Sequence, residues 1–251
     1  MKLAKLLILL SCVTMLVGCS DTPAANSPAS ATQPPVPLST PTATPANPLA
    51  AYAFPATIDP EADYLFYLHG KIIEDQGLPA VSEELGEYQY LAILEALQGY
   101  DYVVISEQRP ANSDMVEYAR RVAGQITLLL VAGVQPEHII IVGASKGAGI
   151  AIYVSQALAN RQVNYVLLSF CHPDNVQALI AEGVSLYGNV LSIYDASDEL
   201  AGTCQQLATF SQGKGLEDFE EVVLQVGSGH GMLYQPLREW VLPTVEWGRE
   251  H

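Results

Sequence analysis

The chain is short of positive charge. Of its 251 residues, 11 are Lys or Arg and 27 are Asp or Glu, a formal net charge of −16. Binding nucleic acid requires a basic face to neutralise phosphate, so the balance argues against such a partner. His and Cys never occur as HxxxH, HExxH or CxxC, so neither a metal nor another cofactor is expected. The apolar run at 6–17 falls short of the about 20 residues that span a membrane. Proline is scarce after residue 60, because ten of the sixteen lie between 21 and 60. The 251 residues therefore do not form one compact fold. An apolar content of 49% is nevertheless too high for a wholly disordered chain.

The two ends of that asymmetry read differently. Lys2 and Lys5 precede the apolar run, which closes on Leu16-Val17-Gly18-Cys19. A basic start and a short apolar core make an export signal, and the closing four residues resemble the lipobox of bacterial lipoproteins. That resemblance implies cleavage after residue 18 and acylation of Cys19, which anchors the protein to a membrane of the cell envelope. An ordinary secretory signal that contains a Cys is the alternative. Ser20 follows the Cys and the first Asp comes only at 21, which points to the outer membrane if the host has two. Residues 19–58 then form the anchor and a Pro/Ala/Ser/Thr-rich linker whose job is reach. Residues 59–251 form one domain.

Within that domain, short apolar runs alternate with amphipathic stretches. Strands are expected at 64–68, 102–105, 138–142, 165–168, 190–194 and 222–226, with helices at 85–97, 113–132, 145–160 and 232–247. Ser113 is the expected N-cap of the second helix. Strands apolar on both faces and separated by helices imply an α/β fold: a doubly wound, mostly parallel six-stranded sheet with helices on both faces.

One turn carries chemistry. Gly143-Ala144-Ser145-Lys146-Gly147 follows an apolar strand and opens an Ala-rich helix. A chain that reverses there needs small neighbours, and it thrusts the Ser hydroxyl clear of the sheet at the positive end of a helix dipole. A plain tight turn or a phosphate-binding loop is the alternative. With Tyr67-Leu68-His69-Gly70-Lys71, Tyr194-Asp195-Ala196-Ser197-Asp198 and Gly227-Ser228-Gly229-His230-Gly231, the chain resembles the α/β-hydrolase family over residues 60–250. The order Ser, Asp, His after successive strands is that family's. With no long insertion before Val190, the resemblance implies a small hydrolase without a large lid.

The resemblance implies roles. Ser145 is the nucleophile, His230 its base, and Asp198 the acid that orients the imidazole, with Asp195 as the alternative acid. The backbone N–H groups of Lys71 and Lys146 form the oxyanion hole. His69 and Arg109 are candidates for substrate binding, although a structural hydrogen-bonding role suits His69 better. The expected substrate is a small-molecule ester or thioester, cleaved by a monomer. An amidase or peptidase with the same residues, or a non-catalytic binding lipoprotein, remains the alternative.

Two further readings concern the same end of the sheet. Lys71, Arg109 and Lys146 are three of only nine basic residues downstream of residue 18. They could clamp an anionic substrate, with Arg109 the best fork. Internal pairing with Glu74, Asp75 and Glu107 weighs more, since ion pairs commonly occupy such rims. Cys171 and Cys204 both follow strands, and in an oxidising compartment they are expected to pair. Two separate buried thiols are the alternative.

Overall fold

The computed structural model describes residues 47–251. The export signal, Cys19 and the linker up to residue 46 lie outside the described residues.

Six strands form one sheet: β1 (Tyr64–Leu68), β2 (Val103–Ile105), β3 (Ile139–Ala144), β4 (Asn164–Leu168), β5 (Gly188–Asp195) and β6 (Leu216–Leu224). Their spatial order is β2-β1-β3-β4-β5-β6, and every ladder is parallel. Among the described residues the α-helices are α1 (Lys71–Gln76), α2 (Tyr90–Gln98), α3 (Met115–Val131), α4 (Lys146–Leu158), α5 (Pro173–Ala181), α6 (Gln205–Ser211) and α7 (Arg238–Glu250).

Strand residues alternate between two cores because successive side chains leave opposite faces of a pleat. Tyr64, Phe66, Ile139 and Ile141 pack under α3, α4, α5 and α6. Leu65, Tyr67, Ile140 and Val142 pack under α2 and α7. Both faces of the central strands are thus dry, which is why they read as continuous apolar runs.

The winding reverses between β1 and β3. Crevices at such reversals, beyond the carboxyl ends of the strands, are where open α/β sheets hold ligands. His69, Gly70 and Lys71 leave β1 there, and Ser145 leaves β3.

Several boundaries differ from the sequence reading. Residues 85–89 are not helical: Val81–Ser82 pairs antiparallel with Gly86–Glu87, and helix begins only at Tyr90. Ser82 Oγ accepts the Glu84 and Leu85 N–H groups, and Gly86 turns the chain at φ +79°. The N-cap of α3 is Asp114 rather than Ser113, and its carboxylate accepts the Glu117 N–H at 2.8 Å. The final helix starts at Arg238, after a separate 3₁₀ turn over Gly229–Tyr234. Residues 49–52, read as the end of the linker, pack on the domain. Leu49 and Tyr52 are buried, and Tyr52 O accepts the Ser106 N–H beyond the end of β2. Among the described residues, no helix is long and apolar enough to cross a membrane.

Candidate active site

The turn after β3 is as tight as its residues imply. A Cβ on Gly147 would overlap the Leu68 carbonyl of β1, and one on Gly143 would overlap the Gly147 backbone. Only glycine fits either place. Ser145 itself sits at φ +52°, ψ −120°, a conformation that non-glycine residues rarely adopt. Its N–H donates to Leu168 O at 2.9 Å, so β4 holds the turn from the other side.

The turn points the Ser145 hydroxyl at His230. His230 Nε2 lies 3.0 Å from Ser145 Oγ, and His230 Nδ1 lies 2.9 Å from Asp198 Oδ2. A neutral imidazole that donates from Nδ1 to a carboxylate presents a bare Nε2, which can accept the serine proton. Burial would push the Asp198 carboxyl up. The hydrogen bond and charge of His230, with the Leu200 N–H, hold it below the ordinary range. It is therefore ionised at neutral pH.

Asp195 does not reach the imidazole. Its carboxylate accepts the N–H groups of Ser197 at 3.0 Å, Val226 at 2.8 Å and Gly227 at 3.1 Å, and also engages the Ser197 hydroxyl. Burial raises its pKa, but these donors outweigh it and hold it low. The residue weighed as an alternative acid is instead a brace beneath the loop that carries His230.

His69 and Arg109, considered as substrate contacts, are both sealed inside. Their relative exposures are 0% and 1%. His69 Nε2 accepts the Arg109 N–H at 2.9 Å, so Nδ1 carries the proton and donates to Gly70 O at 2.8 Å. Burial, then the Arg109 charge, lowers its pKa to about 3. Arg109 Nε pairs with Glu74 at 3.2 Å, and its Nη2 donates to the His69 carbonyl. The guanidinium lies beneath α1, and no substrate can reach it there. Lys146 Nζ pairs with Glu74 at 2.6 Å and Lys71 with Asp75. Internal pairing therefore accounts for all three cations.

A cavity of about 180 Å³ opens beside Ser145 and His230. Gly70, Lys71, Ile72, Tyr88, Leu233 and Tyr234 complete its lining. The Lys71 and Lys146 N–H groups open α1 and α4, and as first-turn donors neither has a partner within its helix. Tyr88 and Tyr234 pack ring to ring at 5.0 Å, and the Tyr88 hydroxyl meets that of Tyr67 at 2.7 Å. The two lining tyrosines and Leu233 were not singled out from the sequence, since no local pattern marks a residue as a pocket wall. A larger cavity of about 470 Å³ at the β2 edge shares no lining residue with this one.

Cys171 and Cys204 are joined by a disulfide, Cα to Cα 5.2 Å, which ties the end of β4 to the start of α6. Among the described residues, no group of three His, Cys, Asp or Glu side chains could hold a metal ion.

No protein-family model matches the chain, and no curated protein matches it. Solved structures do. SOBER1 of Arabidopsis thaliana is 13% identical with a TM-score of 0.51, over 75% of this chain and 98% of that one. Esterase PE8 is 17% identical with a TM-score of 0.48, over 75% and 93%. YbtT, a type II thioesterase of the yersiniabactin pathway, is 13% identical with a TM-score of 0.48, over 77% and 96%. The chain has the α/β-hydrolase fold.

Proposed function

We propose that this protein is a serine hydrolase that cleaves an ester or thioester by acyl transfer. The observation that carries this reading is the continuous relay from Asp198 through His230 to Ser145, at 2.9 and 3.0 Å. The names of the similar structures, an esterase and a thioesterase, agree with it.

In this reading His230 Nε2 takes the Ser145 proton as Oγ attacks the acyl carbon. The carbonyl oxygen becomes an oxyanion and accepts from the Lys71 and Lys146 N–H groups. His230 then returns the proton to the departing alkoxide or thiolate. Water, activated by the same imidazole, releases the acyl group from Ser145. Asp198 keeps the Nδ1–H tautomer and stabilises the imidazolium. The compact apolar cavity suits a small acyl group.

A fluorophosphonate probe tests the reading. Labelling of the folded protein that is lost in Ser145→Ala supports it. Folded protein that takes no label overturns it in favour of a binding role. A panel of acyl esters, thioesters and amides then assigns the bond cleaved.

We also propose that Cys19 carries lipid and holds the domain at the cell envelope, on the strength of the sequence alone. Palmitate incorporation in a bacterial host, lost in Cys19→Ser, is the expected result.

A further inference from the structure

Glu74 is the hub of a buried charge cluster that the acyl-transfer steps do not use. Its carboxylate accepts from Arg109 Nε at 3.2 Å, from the Ser113 N–H at 3.0 Å and from Lys146 Nζ at 2.6 Å. Glu74 is 3% exposed and Arg109 1%. Burial would push the Glu74 carboxyl up, but Lys146 and Arg109 hold it below the ordinary range. It remains an anion between two cations.

The cluster reaches two sides of the site, the Ser145 turn and the Gly70–Lys71 peptide. Lys146 opens α4, one residue after Ser145. Glu74 lies on α1, which starts at Lys71. Arg109 Nη2 donates to the His69 carbonyl and lies 3.5 Å from the Gly70 carbonyl. His69 Nδ1 donates to that same Gly70 oxygen at 2.8 Å. The Gly70 carbonyl and the Lys71 N–H belong to one peptide unit, and in a trans peptide they point in opposite directions. Holding the carbonyl inward aims the N–H outward, toward the cavity that Lys71 lines.

We propose that Glu74 is a positioning residue, which sets the spacing of the Lys71 and Lys146 N–H groups by joining α1 to α4 through the Lys146 side chain. The proposal rests on the serine-hydrolase reading. A buried ion pair is a weak source of stability compared with apolar packing, whereas an oxyanion hole gains from donors fixed in advance.

The test compares Glu74→Gln and Lys146→Met with wild type on a soluble acetate ester. Since losing one whole oxyanion donor lowers kcat about 10²–10³-fold, a displaced donor is expected to cost about 10–50-fold, with KM changed less than about twofold. Affinity for a simple alkylboronic acid, which forms a tetrahedral adduct on serine, is expected to fall in parallel. Lys146→Met leaves the Glu74–Arg109 pair in place, so it decides the matter if Glu74→Gln fails to fold. Wild-type kcat and boronate affinity in the folded variants, or a loss confined to KM, overturn the role of Glu74 alone. A wild type without esterase activity or Ser145-dependent labelling overturns the acyl-transfer reading itself, and this role with it.

Discussion

Asp195 Oδ2 accepts the Val226 N–H at 2.8 Å, across 31 residues of chain. The bond ties the end of β5 to the start of the loop that leads to His230. Three residues on, Asp198 binds the imidazole itself. One strand end thus supplies a brace for the loop and a carboxylate for the imidazole, and the two are separable by experiment. Asp198→Asn is expected to fold normally and to lose about 10³–10⁴-fold in kcat, through the wrong imidazole tautomer. Asp195→Asn leaves backbone donors without a charged acceptor and is expected to lower the thermal midpoint, with a smaller loss in kcat. Ester kinetics and a melting curve for each variant check both.

His69 makes stability depend on pH. Its folded pKa is lowered from 6.5 to about 3. Below pH 6.5 the unfolded chain takes up a proton that the folded chain refuses, so stability falls with acidity through that window. The loss attributable to His69 is expected to be about 2 kcal/mol between pH 7 and pH 5. Urea unfolding of wild type and His69→Gln at both pH values measures it; a variant with the same pH slope as wild type contradicts the assignment.

The central strands were legible because both their faces are dry, whereas β6, exposed at Glu217, Asp218 and Glu220, starts at Leu216 and not at the expected 222. Ser145, Asp198 and His230 were legible as residues at strand ends, in order. For Arg109 the favoured reading, internal pairing, holds, but the sequence shows only its position after β2 and not its burial. The carboxylate that neutralises it is 35 residues away, on α1. Leu91, Leu94 and Leu97 keep helical spacing, and the helix read from them over 85–97 absorbed both Leu85 and Tyr88. Gly86, placed between them, breaks that helix at a positive φ.

Tyr88 bounds the cavity beside Ser145. Tyr88→Ala is expected to shift preference toward longer acyl chains, raising the octanoate-to-acetate ratio of kcat/KM by about tenfold or more, since each added methylene in an apolar pocket is worth about 1–3 kcal/mol. The loss of the Tyr67 hydroxyl's partner is expected to cost about 1–3 kcal/mol of stability. Kinetics on a chain-length series, beside a denaturation curve, separates the two effects.

The Cys171–Cys204 disulfide encloses β5 and Asp198 within one covalent loop. Its sequence separation of 33 corresponds to about 3–4 kcal/mol by loop-closure entropy. Cys171→Ser/Cys204→Ser is expected to unfold at correspondingly lower urea. A thiol titration of denatured, unreduced protein should find neither cysteine free.

Ser145 occupies a backbone conformation that favours glycine. Ser145→Ala keeps that strain while removing the hydroxyl; Ser145→Gly removes both. The glycine variant is therefore expected to be the more stable of the two by about 1 kcal/mol, and a paired melting experiment reads the difference. Selection for durability alone would drive this position to glycine. A side chain kept where the backbone resists it is a trace of selection for something else, and at position 145 that something is an oxygen atom within reach of an imidazole.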